Sequence, residues 1–302
     1  MSTVFQTNSL TKVYGNTAVV DHVTMHMDKG DIYGLIGKNG AGKTTFMKMI
    51  CGISTPTSGS YSFFDEENNK KTVSRIGCLI ENPALYPGMT VEDNLKFYNK
   101  LLGITDHSNI DDILEMVDLT DARKKKTRKL SLGMKQRLGI AIALVGYPDV
   151  LILDEPINGL DPTNIVAIRN MLLKLSRERG VTIMISSHIL GELQRLATKY
   201  GIINNGVLVE ELTHEELLEK TRQAISIEGP DMKTVTVALE EMGLFEYKVI
   251  DDNHVLVYCD TSLSGKINAA LVTKGIAVNS VGVTRQDLEA YFVEKTGGLD
   301  HE

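Results

Sequence analysis

A run of nine residues, Gly37-Lys38-Asn39-Gly40-Ala41-Gly42-Lys43-Thr44-Thr45, constrains this chain more than any bulk property. It fits the pattern G-x-x-x-x-G-K-[ST], and its flanks agree. Asp31 to Ile36 reads as a short buried strand, and Thr45 to Ile50 places Phe46, Met47, Met49 and Ile50 at helical spacing. Strand, glycine loop and helix in this order make a cradle for a polyphosphate anion. The glycines let successive backbone N–H groups turn inward, and the positive end of the helix adds to their field. Lys43 is placed to reach the β- and γ-phosphates of a nucleotide, and the Thr44 hydroxyl to ligand Mg2+. A bare glycine-rich turn is the plainer alternative, and the matching flanks speak against it.

A loop of this kind needs acids on a neighbouring strand. Val150 to Leu153 is a four-residue apolar strand ending in Asp154-Glu155-Pro156. Two carboxylates at the exit of a buried strand must be paired or bind metal. They read either as Asp154 on Mg2+ with Glu155 polarising the attacking water, or as a pair held by neighbouring arginines. Val181 to Ile185 is the next buried strand, with His188 at its end. That histidine is either structural or, at the sheet edge where open parallel sheets bind ligands, a contact for the γ-phosphate.

Leu130-Ser131-Leu132-Gly133-Met134 opens a helix running to about Val145, with Ser131 at its cap. It is either a second anion site or a plain capped helix. Tyr14, just before a Gly15-Asn16 turn between antiparallel strands, reads equally as an adenine-stacking ring or a packed hairpin tyrosine. From Val91 to about Gly146 the pattern is helical. Leu95, Tyr98, Leu101 and Leu102 form one stripe, and Ile110, Ile113, Leu114 and Val117 a second. Asn158-Gly159-Leu160-Asp161-Pro162 is a turn into a further helix, and Asn205-Gly206 marks a hairpin. From Ala224 onward a β-α-β-β-α-β order appears, with its last strand at 277–283 and a final helix at 285–296.

Other classes are excluded by what is missing. A net charge of −7 gives no nucleic-acid footprint. The local exception, Arg123-Lys124-Lys125-Lys126-Thr127-Arg128-Lys129, reads as a solvated face or as a contact for a membrane surface or acidic partner. Cys51, Cys78 and Cys259 lack metal-ligand spacing and read as buried small hydrophobes in a reducing compartment. The N-terminus carries no signal pattern, and no apolar run is long enough to span a bilayer, so a cytosolic chain is expected unless a partner holds it at a membrane.

Taken together, these motifs resemble the nucleotide-binding subunit of an ABC transporter over roughly residues 1 to 220. Gly37 to Thr45 is similar to the family's Walker A. Val150 to Asp154 with Glu155 is similar to Walker B and the catalytic glutamate. Leu130 to Met134 stands at the LSGGQ signature, Asn158 to Asp161 at the D-loop, His188 at the switch histidine and Tyr14 at the adenine-stacking tyrosine. Leu132 and Met134 depart from the signature, and Glu81 stands where the family carries glutamine, in a loop that touches Mg2+ and links to the permease. With Asp287-Leu288-Glu289-Ala290-Tyr291-Phe292, these departures resemble the bacitracin-resistance and lantibiotic-immunity subgroup.

The resemblance implies an α/β P-loop NTPase, with a RecA-like core, an antiparallel β subdomain and a helical subdomain over about 82–146. A C-terminal ferredoxin-like regulatory or interaction domain follows at 221–302. ATP would lie on Tyr14 and residues 37–45. The cofactor is Mg2+ on Thr44, Glu81 and Asp154, and the catalytic set is Glu155, His188 and Lys43. Ser131 and Gly133 would complete the site of a twin in a head-to-tail homodimer, with Asp161 at the joint. The partner implied is a membrane permease, holding the protein on the inner face of the membrane, and the cargo an antimicrobial peptide. The alternative is a soluble relative of the repair, translation or nucleotide-sensing kind. One phosphate loop and no sustained heptads count against the repair or translation kind, and the complete set of Asp154, Glu155 and His188 against the nucleotide-sensing kind.

Overall fold

The computed structural model describes residues 2–64, 70–285 and 288–296. It forms two compact units, Met1–His214 and Glu215–Glu302. In the first, strands β1 (Thr3–Tyr14), β2 (Thr17–Val23) and β3 (His26–Asp28) precede β4 (Ile32–Ile36) and helix α1 (Lys43–Ile50). Then come β5 (Ser58–Phe63), α2 (Lys70–Val73), β6 (Ile76–Leu79), α3 (Val91–Leu101), α4 (Asn109–Met116) and α5 (Leu132–Ala143). β7 (Val150–Leu153), α6 (Pro162–Arg179), β8 (Thr182–Ser187), α7 (Leu190–Gln194), β9 (Lys199–Asn204) and β10 (Val207–Thr213) follow.

Six strands make one sheet in the order β10-β9-β4-β8-β7-β6. β4, β6, β7, β8 and β9 run parallel, and β10 closes the edge antiparallel. Parallel strands carry helices on both faces, so their residues must be apolar throughout. β4 and β7 are buried at every position, in keeping with Ile-Tyr-Gly-Leu-Ile and Val-Leu-Ile-Leu. The arrangement sets the exits of β4, β8, β7 and β6 side by side along one edge. That edge collects Gly37, His188, Asp154 and Glu81.

A second, antiparallel sheet has the order β2-β1-β3, with β5 also paired to β1. α1 shares one apolar core with both sheets. Phe46, Met47, Met49 and Ile50 lie in it with Phe5, Leu10 and Phe63 of the antiparallel sheet and Leu35 and Ile152 of the parallel one. A helix covered from two sides needs more than a one-sided stripe.

The helical block keeps Ile110, Ile113, Leu114 and Val117 buried, as their spacing predicts. The stripe expected on α3 is corrected. Leu101 and Leu102 are exposed, and the buried face is Val91, Asn94, Leu95 and Asn99. Two fully buried asparagines hid that face from a hydrophobic pattern. Asn94 bonds Thr90 O and Thr127 Oγ1 through Nδ2, at 2.8 and 3.0 Å, and Asn99 exchanges hydrogen bonds with Asn109 at 2.8 and 2.9 Å. A buried amide is stable only when so satisfied.

The cysteine expectation also needs correction. Cys51 and Cys259 are half-buried, and Cys78, on edge strand β6, is exposed. Cys51 and Cys78 share a hydrogen bond, which draws the Cys78 thiol down against the effect of burial and, together with burial, pushes the Cys51 thiol up.

Helix α8 (His214–Lys220) begins on the last residue of the first unit, and the second unit continues with β11 (Gln223–Glu228), α9 (Met232–Glu241), β12 (Tyr247–Asp251), β13 (His254–Val257), α10 (Ser264–Thr273), β14 (Ser280–Arg285) and α11 (Leu288–Lys295). The sheet order β12-β13-β11-β14, antiparallel throughout, is the split β-α-β arrangement that the element order predicts. Ile225, Val235, Leu239, Val257 and Leu271 form its core. The last strand lies at Ser280–Arg285 rather than 277–283. Asp287, part of the C-terminal resemblance, lies outside the described residues.

Candidate active site

The phosphate loop leaves β4 at Gly37 and enters α1 through Gly42. Gly42 has φ 105°, and a Cβ there would lie 2.5 Å from Val19 O. Both the left-handed backbone and the close approach therefore demand glycine. Val19, residues 38–45 and Glu155 line a cleft of about 200 Å³ over the loop. Lys43 is buried, its ammonium donating to Gly37 O at 2.6 Å and Lys38 O at 3.2 Å.

Thr44 Oγ1 donates to Asp154 Oδ2 at 2.8 Å. Ser186 Oγ donates to Asp154 Oδ1 at 2.6 Å, and the same oxygen accepts the Glu155 N–H at 2.9 Å. Asp154 is buried, so its charge depends on these donors. Glu155 takes φ 48°, a left-handed conformation costly for a side chain with a Cβ. The Ser186 bond fastens it there. Its carboxylate lies between two nitrogens, Lys43 Nζ at 3.5 Å from Oε1 and His188 Nδ1 at 2.8 Å from Oε2. His188 thus meets Glu155 directly.

Lys43, Thr44, Asp154, Glu155 and His188 are one cluster. Glu81 stands apart from it. β6 and β7 pair Leu79 with Leu153, so Glu81 and Glu155 occupy matching places two residues past the pair, and both have positive φ. Yet the Glu81 carboxylate goes to Lys48 Nζ at 2.6 Å, which raises the lysine's pKa. Among the described residues no group of three His, Cys, Asp or Glu side chains could by itself hold a metal. One hydroxyl and one carboxylate suit Mg2+, which usually takes one or two protein oxygens and fills its shell from phosphates and water.

Tyr14 ends β1 half-exposed, with Lys12 Nζ 5.0 Å above its ring, and does not line the cleft. Ser131 caps α5, its Oγ accepting Met134 N–H at 3.3 Å. Gly133 faces the first turn of α6 rather than the phosphate loop, and a Cβ on it would lie 2.4 Å from the Asn164 side chain. Asn164 in turn donates from N to Asp161 Oδ1 at 3.0 Å and from Nδ2 to Oδ2 at 2.6 Å, which holds the Asp161 carboxyl below its usual range. Ser131, Gly133, Asp161 and Asn164 are therefore a second assembly.

Three residues of these assemblies escaped the sequence reading: Ser186, Lys48 and Asn164. Ser186 had a signal, since Ser186-Ser187 ends a buried strand just before His188 and serine there needs a polar partner. Lys48, one turn beyond Thr44, and Asn164, three residues past Asp161, carried only a spacing.

Residues 20–158 match the family described as ABC transporter. The chain is 42% identical to a bacitracin transport ATP-binding protein, BcrA, of Bacillus licheniformis, over 99% of both chains. It is 44% identical to the lantibiotic transport ATP-binding protein SrtF of Streptococcus pyogenes, over 68% of this chain and 90% of that one. Among solved structures, a nucleotide-free ATP-binding cassette from an ABC transporter aligns with TM-score 0.65 at 25% identity, over 72% of this chain and 94% of the other. A dimeric cassette bound to ADP and Pi shares the fold with TM-score 0.61 at 22% identity, over 70% and 98%.

Proposed function

The chain belongs to the ABC transporter family as one of its ATP-binding, ATP-hydrolysing subunits, and from that premise we propose that it drives export of a bacitracin- or lantibiotic-type peptide through a separate membrane permease. The observation that carries the reading is the Glu155 carboxylate held between Lys43 and His188 at the mouth of the phosphate-loop cleft. An acid so placed can take a proton from water as it attacks the γ-phosphate. Lys43 exchanges its loop carbonyls for phosphate oxygens, and His188 keeps the carboxylate aimed.

Thr44 and Asp154 would hold Mg2+, which when bound draws charge from the phosphates. Ser131 and Gly133, on an assembly of their own, would face the nucleotide of a second copy. Two facing positive sites stay apart until polyphosphate neutralises both, so ATP closes the pair and hydrolysis lets it open. A cleft of about 360 Å³ lies between Asn82-Pro83, next to Glu81, and Leu132 and Lys135 of α5. A permease segment seated there would touch both the Glu81 loop and the signature helix. Among the described residues no helix is long and apolar enough to cross a membrane, so a permease would place the chain at the inner face. Among its described residues the second unit carries no catalytic constellation, and it serves as a regulatory or interaction module.

The test is co-expression with a candidate membrane permease. Tolerance to bacitracin or a lantibiotic should rise with this chain and fall to background with Glu155→Gln. Unchanged tolerance, together with failure of the tagged chain to retain any permease, overturns the transport reading.

A further inference from the structure

We propose that Lys124, Lys125, Lys126, Arg128 and Lys129 form a basic platform that docks on the anionic headgroups of a lipid bilayer. The five are exposed on a protein of net charge −7. Their backbone is fixed. Thr127, buried between them, donates from N and Oγ1 to Met89 O at 2.9 and 3.1 Å and accepts from Asn94 at 3.0 Å. Arg128 N donates to Pro87 O, and Lys125 O accepts from Val91 N, both at 3.1 Å. The cations therefore stand on a rigid segment and lose little backbone freedom on contact.

Four acids of the same helical block are already held by other partners. Arg123 holds Glu92 and Asp111, Arg137 holds Asp118, and Thr90 holds Asp93. Among the described residues none of the five platform cations has an ion pair. Their type selects the partner: four are lysines, hydrated point charges without the planar fork that recognises a carboxylate. Such charges suit the diffuse field of a headgroup layer, where each basic residue strengthens binding several-fold. The proposal goes beyond the transport reading and rests on it only in placing a bilayer within reach.

The purified full chain is sedimented with vesicles of phosphatidylcholine alone or mixed with phosphatidylglycerol, at rising salt. Binding should require phosphatidylglycerol, weaken with salt, and fall about tenfold or more in K124Q/K125Q/K126Q/K129Q. That variant should keep its ATPase activity, and K233Q/K248Q/K266Q in the second unit should bind as the parent does. Equal binding to neutral vesicles, or a quadruple variant that binds like the parent, overturns the proposal. So does platform-dependent binding of oligoglutamate without vesicle binding, which assigns the surface to an acidic protein segment. None of these outcomes depends on a permease, so the transport reading stands or falls separately.

Discussion

Thr44 and Asp154, 110 residues apart in sequence, meet through a 2.8 Å hydrogen bond that ties the phosphate-loop helix to the end of β7. Ser186, at the end of β8, completes the chain by donating to the other oxygen of Asp154 and accepting from Glu155 N–H. Ser186→Ala leaves a buried carboxylate short of one donor and a strained Glu155 without its tether. An unsatisfied buried group costs about 1–3 kcal/mol. The melting temperature should fall by several degrees and turnover by about tenfold, with ATP affinity nearly unchanged. Ser186→Thr, which keeps a hydroxyl, should recover much of the turnover. Equal loss in both variants would show that packing, not the hydroxyl, matters.

Glu155→Gln keeps the shape of the side chain and the His188 contact but cannot accept a proton. Removing a positioned general base costs about 10²–10⁴ in rate. The variant should bind ATP, pair with a second copy under Mg-ATP and turn over at that reduced rate. Normal steady-state ATPase activity would remove Glu155 as the base, and a variant that stays monomeric would count against the paired site.

Glu81 pairs with Lys48 at the surface, and such pairs are worth about 0–1 kcal/mol. Glu81→Gln and Glu81→Ala should therefore melt within about 2 °C of the parent, so any functional change is not one of folding. If this loop couples nucleotide to permease, both variants should keep ATPase activity and lose transport. Full transport in both would end that role.

Glu92 opens α3 and takes two hydrogen bonds from Arg123, at 2.8 and 3.1 Å, with Lys96 at 2.6 Å. Arg123 first, then Lys96, draw its carboxyl down to about 2, from about 4.3 in an unfolded chain. The folded value is the lower one, so the stabilisation is complete above about pH 5 and is lost as pH falls through about 2. Glu92→Gln should be less stable than the parent at pH 7 and nearly equal to it at pH 2. Chemical denaturation of both proteins across that range measures the difference, and a constant gap would exclude Glu92 as its source.

How much of this was legible follows from what each residue advertises. The phosphate loop and the Asp154-Glu155 exit could be read because glycine geometry and buried strands leave narrow local patterns. α3 was misread because Asn94 and Asn99 bury polar groups that only tertiary partners satisfy. Ser186, Lys48 and Asn164 gain their meaning from residues 32, 33 and 31 positions away, which no local period encodes. The environment of Cys78 was hidden for a related reason. β6 is an edge strand, and the strand order that makes it one is not written in its four residues.

Gly133 tests the second assembly. A Cβ there would press on the Asn164 side chain, which otherwise grips Asp161. Gly133→Ala alone thus mixes two effects, loss of the Asp161 clasp and added bulk where a twin's nucleotide would approach. Asn164→Ala removes the obstruction, at about 1 kcal/mol for the lost hydrogen bonds. Gly133→Ala/Asn164→Ala should then melt no lower than Asn164→Ala alone. If Gly133 serves the neighbouring copy's ATP, the double variant should still bind nucleotide, hydrolyse it at least tenfold more slowly than Asn164→Ala, and pair poorly under Mg-ATP. Its own phosphate loop is untouched, so mixing it with a Lys43→Ala chain should restore one intact site per pair and part of the activity. No recovery on mixing, with both chains folded, would mean that Gly133 acts only within its own copy.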